Sequence, residues 1–367
     1  MFCQKYNKQP HTLEEFALNL TTLGFTNFFE QQLITFHTEN KLVGRVMLEH
    51  KHSYRVMTEQ GELLTTISGN YSHHAYVREH YPAVGDFVLI QKMPGEERAI
   101  IHQLFERKSL FKRKVAGGAL EMQIVATNVD TVFLVMSLND DFNIRRLERY
   151  LTAAWDSGAM PVIVLTKADL CDDPSQFVKE VEQIAFGVDL LIVSAVDGEG
   201  LDQLKHYVSE GKTVALLGSS GAGKSTLVNA LIGNEVMKTS DIREDDAKGR
   251  HTTTHRELIV TPMGGNIIDT PGMRELQLYD QDDSLSATFE DVEEISTRCK
   301  YRDCQHKKEP GCGIQDALQT GELARERYAN FLKLQKELAY LDRKEKVQAR
   351  LLQKTIEKKI AKKMKSK

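Results

Sequence analysis

Gly218-Ser-Ser-Gly-Ala-Gly-Lys-Ser-Thr226 decides how this chain folds. The stretch has the spacing Gly-x4-Gly-Lys-Ser. Thr213-Val-Ala-Leu-Leu217 reads as a strand running into it, and Ser225 to Ile232 as an apolar helix leaving it. Its glycines let backbone N–H groups converge on phosphate oxygens. Lys224 is expected to reach the β and γ phosphates of a nucleotide, and the Ser225 hydroxyl to ligate Mg²⁺. The helix aims its positive end at the same charge. Gly218, Ser219, Ser220, Gly221, Ala222, Gly223, Lys224, Ser225 and Thr226 are therefore candidate nucleotide contacts, with Lys224 also a catalytic candidate.

Two further signatures fix which nucleotide and which topology. Downstream, Asp269-Thr-Pro-Gly272 follows an apolar strand. Asp269 is placed to hold Mg²⁺ through water, and the Gly272 N–H to sense the γ phosphate. Upstream, Thr166, Lys167, Ala168 and Asp169 form a base reader. The Asp169 carboxylate can accept from guanine N1–H and the exocyclic amine, a donor pair adenine lacks. Thr166 replaces the more usual Asn and keeps one hydrogen-bond donor. Ser194-Ala195, after the strand Leu190 to Val193, fits the second guanine loop, where a backbone N–H meets the base oxygen. The set favours GTP and GDP over ATP. In most GTPases the phosphate loop comes first and the guanine signature fourth; here the order guanine, phosphate, switch points to a circularly permuted GTPase.

Gly249-Arg-His-Thr-Thr-Thr-His255 lies between the phosphate loop and Asp269. A threonine here, Thr253 or Thr254, is expected to close on Mg²⁺ as the first switch. Met273 stands where many GTPases carry the glutamine that orients the attacking water. A thioether cannot do this, so intrinsic hydrolysis should be slow, and His251 is the candidate to position water.

Cys299, Cys304, His306 and Cys312 supply three thiolates and one imidazole within fourteen residues. That is a complete tetrahedral set for one Zn²⁺, closed and structural. In a reducing compartment such a cluster reads as a metal site rather than a disulfide frame. Cys3 and Cys171 lack such neighbours and read as plain thiols.

The flanking sequence predicts three folded parts. Residues 1–40 read as an amphipathic helical extension, with Thr12 and Glu15 as a capping box and Leu13, Phe16, Leu20 and Leu23 at helical spacing. Five short strand candidates punctuated by glycines fill 41–106, as in a small OB-type barrel, although periodicity does not separate that from an SH3-like one. A basic joint, Arg107 to Lys114, opens a strand–helix alternation over 107–280, which predicts a mostly parallel sheet covered by helices. Residues 281–342 read as a mainly helical zinc-binding domain, and 343–367 as a basic tail.

Bulk numbers set the class. At 27% charged and 41% hydrophobic residues the chain reads as soluble and globular. No apolar run is long enough to span a bilayer and the first ten residues lack a signal-peptide core, so the expected location is the cytoplasm. The net charge of −4 conceals 11 Lys or Arg against two Glu in 343–367, leaving −13 on the rest. A basic tail on an acidic body suits nucleic-acid binding or a solvated tail.

The permuted order, barrel and Cys3His knuckle together resemble the RsgA/YjeQ family of GTPases. The stretches that carry the resemblance are Val84-Gly-Asp-Phe-Val88, Asn128-Val-Asp-Thr-Val132, Leu165-Thr-Lys-Ala-Asp-Leu170, Gly218 to Asn229, Gly249-Arg-His-Thr-Thr-Thr254, Asp269-Thr-Pro-Gly272 and the Cys299–Cys312 knuckle. The resemblance implies GTP hydrolysis stimulated by the small ribosomal subunit and a role in that subunit's late maturation. It also implies that an OB domain, a permuted GTPase domain and a zinc domain together grip rRNA. The family's switch histidine maps to His251. The protein is expected to act as a monomer without a membrane. A GTPase serving another partner and an RNA-binding scaffold with incidental hydrolysis are the competing readings.

Overall fold

A computed structural model describes residues 19–365, apart from 52, 76, 115–121, 234–255 and 270–281. The expected helix start at Thr12, both switch segments with His251, Thr253 and Thr254, and Gly272 and Met273 lie outside the described residues.

The N-terminal segment corrects one expectation. Leu20 and Leu23 sit in a turn, not a helix, and the helix is α1 (Asn27–Leu33). The cause is tertiary. Gly24 has φ +84°, and a Cβ there would lie 2.8 Å from the Gly211 carbonyl oxygen. The turn is thus pressed against the central domain, and that packing overrides the apolar spacing.

Strands β1 (Leu42–Glu49), β2 (Tyr54–Thr58), β3 (Gly61–Ile67), β4 (Phe87–Lys92) and β5 (Arg98–Leu104) form the barrel, with helix α2 (Gly69–His74) between β3 and β4. The order β1-β2-β3-β5-β4 closes through β4 on β1, with β3 and β5 parallel and the other pairs antiparallel. This is the OB arrangement. Alternating residues Tyr54, Val56, Leu63, Val88, Ile90, Ala99 and Ile101 fill it. A bulge between Val46 and Leu48 bends β1 out of the barrel. Its end then pairs with the central sheet at Leu48 opposite Glu257.

The basic joint is largely ordered structure. Arg107 binds Asp86 at 2.6 Å and Lys108 binds Asp130 at 2.6 Å. Leu110–Lys114 forms β6, which pairs antiparallel with β7 (Met122–Thr127).

The central domain is built from β8 (Thr131–Ser137), α3 (Ile144–Ser157), β9 (Met160–Thr166), α4 (Ser175–Glu182), β10 (Asp189–Ile192), α5 (Leu201–Lys205), β11 (Thr213–Gly218), α6 (Lys224–Ile232), β12 (Glu257–Val260) and β13 (Asn266–Asp269). Its spatial order is β10-β9-β8-β11-β13-β12, parallel except for β12. Both faces are covered. Phe133, Val135, Val162 and Val164 pack under α5 and α6, while Val132, Leu134, Ile163 and Leu165 face α3. Such two-sided burial explains why these strands read as continuous apolar runs.

Helices α7 (Asp282–Thr288), α8 (Glu290–Ser296), α9 (Gly313–Thr320) and α10 (Arg325–Lys365) complete the chain. Ile314, Phe331, Leu334 and Leu338 share one core with the α3 face of the sheet. Polar groups reinforce this joint. The Glu148 side chain of α3 is fully buried and accepts from Arg327 at 2.8 Å, Arg145 at 2.7 Å and Asn330 at 2.5 Å. Arg327 also pairs with Asp291 at 2.6 Å. The residue of α3 adjacent to Glu148, Arg149, grips Glu337 with two bonds, at 3.0 and 2.5 Å.

The barrel is joined as firmly. Arg45, on β1, is fully buried and donates to the carbonyls of Leu23, Gly85 and Asn128 and to the Thr213 hydroxyl. Burial pulls its guanidinium down to about 10, against the pull of Asp130 and Asp86, so it stays charged at neutral pH.

Candidate nucleotide site and metal centre

Between β8 and β11 the chain order reverses: it steps outward through β9 and β10, then returns to the centre at β11. In open α/β sheets ligands bind outside the carboxyl ends of the strands at such a reversal. The carboxyl ends of β8, β9, β10, β11 and β13 all lie at that end, and residues singled out from sequence stand at or just beyond four of them.

The loop after β11 is shaped by close approach and by glycine. A Cβ on Gly218 would sit 2.4 Å from the Val135 carbonyl oxygen, so only glycine lets β11 lie this close to β8 here. Gly223 caps α6 with φ +84°, a left-handed conformation that L side chains rarely adopt. Lys224 opens α6, and its ammonium donates to the carbonyls of Gly218 and Ser219 at 2.8 and 2.5 Å. The cation therefore lies folded over the loop whose N–H groups can cradle an anion. Ser225 and Thr226 follow, both half-buried in the first turn of α6.

The loop after β9 meets this one directly. Thr166 is buried, and its hydroxyl lies 2.7 Å from the Ala222 carbonyl and 3.2 Å from that of Met136. Its one donor thus serves the phosphate loop, tying the two loops together. Lys167 takes a left-handed turn at φ +62°. Ala168 donates its backbone N–H to Val193 at 3.2 Å, and Asp169 is exposed. The Asp169 carboxylate accepts from the Ser194 hydroxyl at 2.8 Å. Ser194 is fully buried beside Ala195, so the two separate segments expected from sequence to read guanine form one unit. Asp269 ends β13, the strand directly beside the P-loop strand β11.

The loop after β8 escaped sequence reading. Asp141 accepts from the Ser219 hydroxyl at 2.5 Å and from Arg146 at 2.9 Å. The signal was available: a run Asn-Asp-Asp-Phe-Asn143 directly follows a buried strand at the sheet's carboxyl end.

At the other end of the chain the structure brings Cys299, Cys304, His306 and Cys312 together, with all four ligand atoms within 4.8 Å of one another. A tetrahedral Zn²⁺ with ordinary bond lengths requires about 3.8 Å between sulfurs and about 3.6 Å between sulfur and nitrogen. The cluster has 4.0 Å between the Cys299 and Cys312 sulfurs, and 3.4 and 3.5 Å from these to His306 Nδ1. The donor set and its spacing fit that ion. Supports missed in the sequence shape the loop: His306 stands at φ +57°, Gln315 donates to its carbonyl at 2.7 Å, and the Glu309 carboxylate accepts N–H bonds from Gln305, Lys307 and Lys308. Cys304→Ser is expected to abolish stoichiometric metal binding and to lower the melting temperature. A full metal equivalent in elemental analysis of the variant would remove Cys304 from the set.

A family model described as RsgA GTPase matches residues 104–279. A second, described as ABC transporter, matches 201–361 and includes the same phosphate loop. The curated small ribosomal subunit biogenesis GTPase RsgA 1 of Oceanobacillus iheyensis is 48% identical over 85% of this chain and 89% of its own length. The chain belongs to the RsgA family of GTPases. The RsgA 2 protein of Lactiplantibacillus plantarum is 44% identical over 88% of this chain and 90% of its own. Among solved structures, YjeQ from Thermotoga maritima superposes with a TM-score of 0.61 at 29% identity, covering 82% of this chain and 99% of that one. YloQ, described as a circularly permuted GTPase, gives 0.56 at 25% identity, covering 83% and 96%. Membership in the RsgA family makes this chain an enzyme that hydrolyses GTP, and the permutation read from motif order is the one named for YloQ.

Proposed function

We propose that this RsgA-family GTPase binds the small ribosomal subunit and its rRNA and assists late maturation, with hydrolysis stimulated by the subunit. The observation that supports it best is the arrangement of three parts. A nucleotide site at one end of the permuted sheet is joined through buried polar seams to an OB barrel on one side and a Cys3His helical domain on the other. Both flanking parts are types used to hold RNA. The relatives' names, small ribosomal subunit biogenesis GTPase, support the choice of that subunit.

In this reading Asp169 reads the guanine edge, with Lys167, Ala168, Ser194 and Ala195 around the base. Gly218 to Thr226 enclose the phosphates, and Thr166 holds the two loops in register. Mg²⁺ would be held by Ser225, by Asp269 through water and by Thr253 or Thr254. An ion held by these residues would supply charge neutralisation for the terminal phosphates. Gly272 senses the γ phosphate, and His251 positions water. Cys299, Cys304, His306 and Cys312 would hold one structural Zn²⁺. The protein works as a cytoplasmic monomer; among the described residues no helix is long and apolar enough to cross a membrane.

The test is GTP turnover by the purified protein alone and with small subunits, large subunits or bulk RNA. Stimulation by small subunits alone is expected, and equal rates in all four conditions would defeat the proposal. His251→Ala should lower the stimulated rate by about 100-fold or more while sparing nucleotide affinity, the scale of a lost general acid–base group. A wild-type rate would clear His251. Asp169→Asn should shift preference from guanine to xanthine nucleotides, because the amide presents a donor where the carboxylate accepted. Retained GTP preference in a competition assay would place the base reader elsewhere.

A further inference from the structure

The loop after β8 contributes a residue to the nucleotide site that neither the family motifs nor the sequence reading include. Asp141 lies opposite the first variable position of the phosphate loop, its Oδ2 2.5 Å from the Ser219 hydroxyl. Three features fix it there. The Asn139 side chain accepts from the Asp141 backbone N–H at 3.1 Å and from the Ser137 hydroxyl at 2.7 Å, so the loop is braced from within. Asn143 caps α3 by accepting from the Arg146 N–H at 3.0 Å. Arg146, in the first turn of α3, then returns its guanidinium to the Asp141 carboxylate at 2.9 Å.

The consequence for the phosphate loop follows from what Ser219 does. Its carbonyl, with that of Gly218, holds the Lys224 ammonium. Its hydroxyl is engaged by Asp141. A carboxylate near bound phosphates would ordinarily repel them. Here Arg146 neutralises it, so the pair supplies a fixed acceptor without a net negative charge. Burial opposes ionisation of Asp141, yet hydrogen bonds from Arg146 and Ser219 and the charges of Arg146 and Lys167 hold its carboxyl below the usual range.

We infer that Asp141 is a positioning residue for the phosphate loop: through Ser219 it holds the loop open for the nucleotide and thereby sets nucleotide affinity. The inference rests on the nucleotide reading of Gly218–Thr226. Hydrogen bonds to charged groups contribute enough to give roughly tenfold, and the partial exposure of this pair lowers that to about fivefold.

The experiment is titration of the full-length protein with fluorescent GDP and a fluorescent non-hydrolysable GTP analogue. Asp141→Ala should raise both dissociation constants about fivefold. It should raise KM for GTP by a similar factor with kcat changed by less than about twofold, the pattern of lost uniform binding. Ser219→Ala should do the same, and the double variant should be no worse than either single one, because both remove one contact. Asp141→Asn keeps an acceptor for the Ser219 hydroxyl and should recover most of the affinity. Unchanged affinity in Asp141→Ala, or additive losses in the double variant, would overturn the assignment. Lys224→Ala measured alongside separates the two levels. If it loses binding while Asp141→Ala does not, only the positioning role fails. If it too binds normally, the nucleotide reading fails and takes this inference with it.

Discussion

Lys224→Ala is expected to weaken GTP and GDP binding by roughly 100-fold and to reduce turnover to background at ordinary GTP concentrations. A charge-assisted bond to phosphate contributes up to about 3 kcal/mol, and 1.4 kcal/mol is a factor of ten. The structure predicts that this loss is local. Lys224 is half-buried, opens α6, and bonds to two carbonyls of its own loop. Its loss exposes those carbonyls to water and leaves the apolar face of α6, with Leu227, Val228 and Leu231, in place. Isothermal titration with GDP, beside a thermal melt, checks both halves. A variant that melts like the parent and binds like it would place the phosphate site elsewhere.

The second large effect concerns the joint between the central and C-terminal domains. Arg327→Met is expected to destabilise the protein by about 3 kcal/mol, because it strands the buried Glu148 carboxylate. Glu148 is 0% exposed and Arg327 5%. After the substitution Glu148 retains Arg145, which is one-third exposed, and the Asn330 amide. These partners keep the cost at the lower end of the range for breaking a buried pair. The Arg327 guanidinium also lies 4.7 Å from the centre of the Phe289 ring, a contact that methionine partly replaces. Pairing the change with Glu148→Gln removes the stranded charge and should recover a good part of the loss. Urea unfolding of the two single variants and the double variant reads this directly. A double variant as unstable as the sum of the singles would mean that the two residues do not act as a pair.

The parts legible in the sequence are those where chemistry is local. Gly223 and Lys224 announce the phosphate loop because no other residue types give that backbone and that charge together. The four candidate metal ligands lie within fourteen residues, so their chemistry needs no knowledge of the fold. The buried strands β8, β9 and β11 are long apolar runs because both faces of the sheet are covered. Spacing failed at Leu20 and Leu23. There the apolar residues serve a turn clamped between Gly211 and Arg45, and helical periodicity carries no information about a contact nearly two hundred residues away.

The sequence alone determined the type of nucleotide, the permuted order of its motifs, the barrel strands and the metal ligand set. Each depends on residue type at short range. Tertiary structure decided how these pieces act on one another. It turned the Thr166 hydroxyl onto the Ala222 carbonyl, set Asp141 against Ser219, buried Arg45 between barrel and sheet, and placed Glu148 under Arg327 across 179 residues. Those contacts join residues distant in the chain, and a charged side chain in a sequence reads as solvent-facing until the fold supplies the partner that lets it be buried.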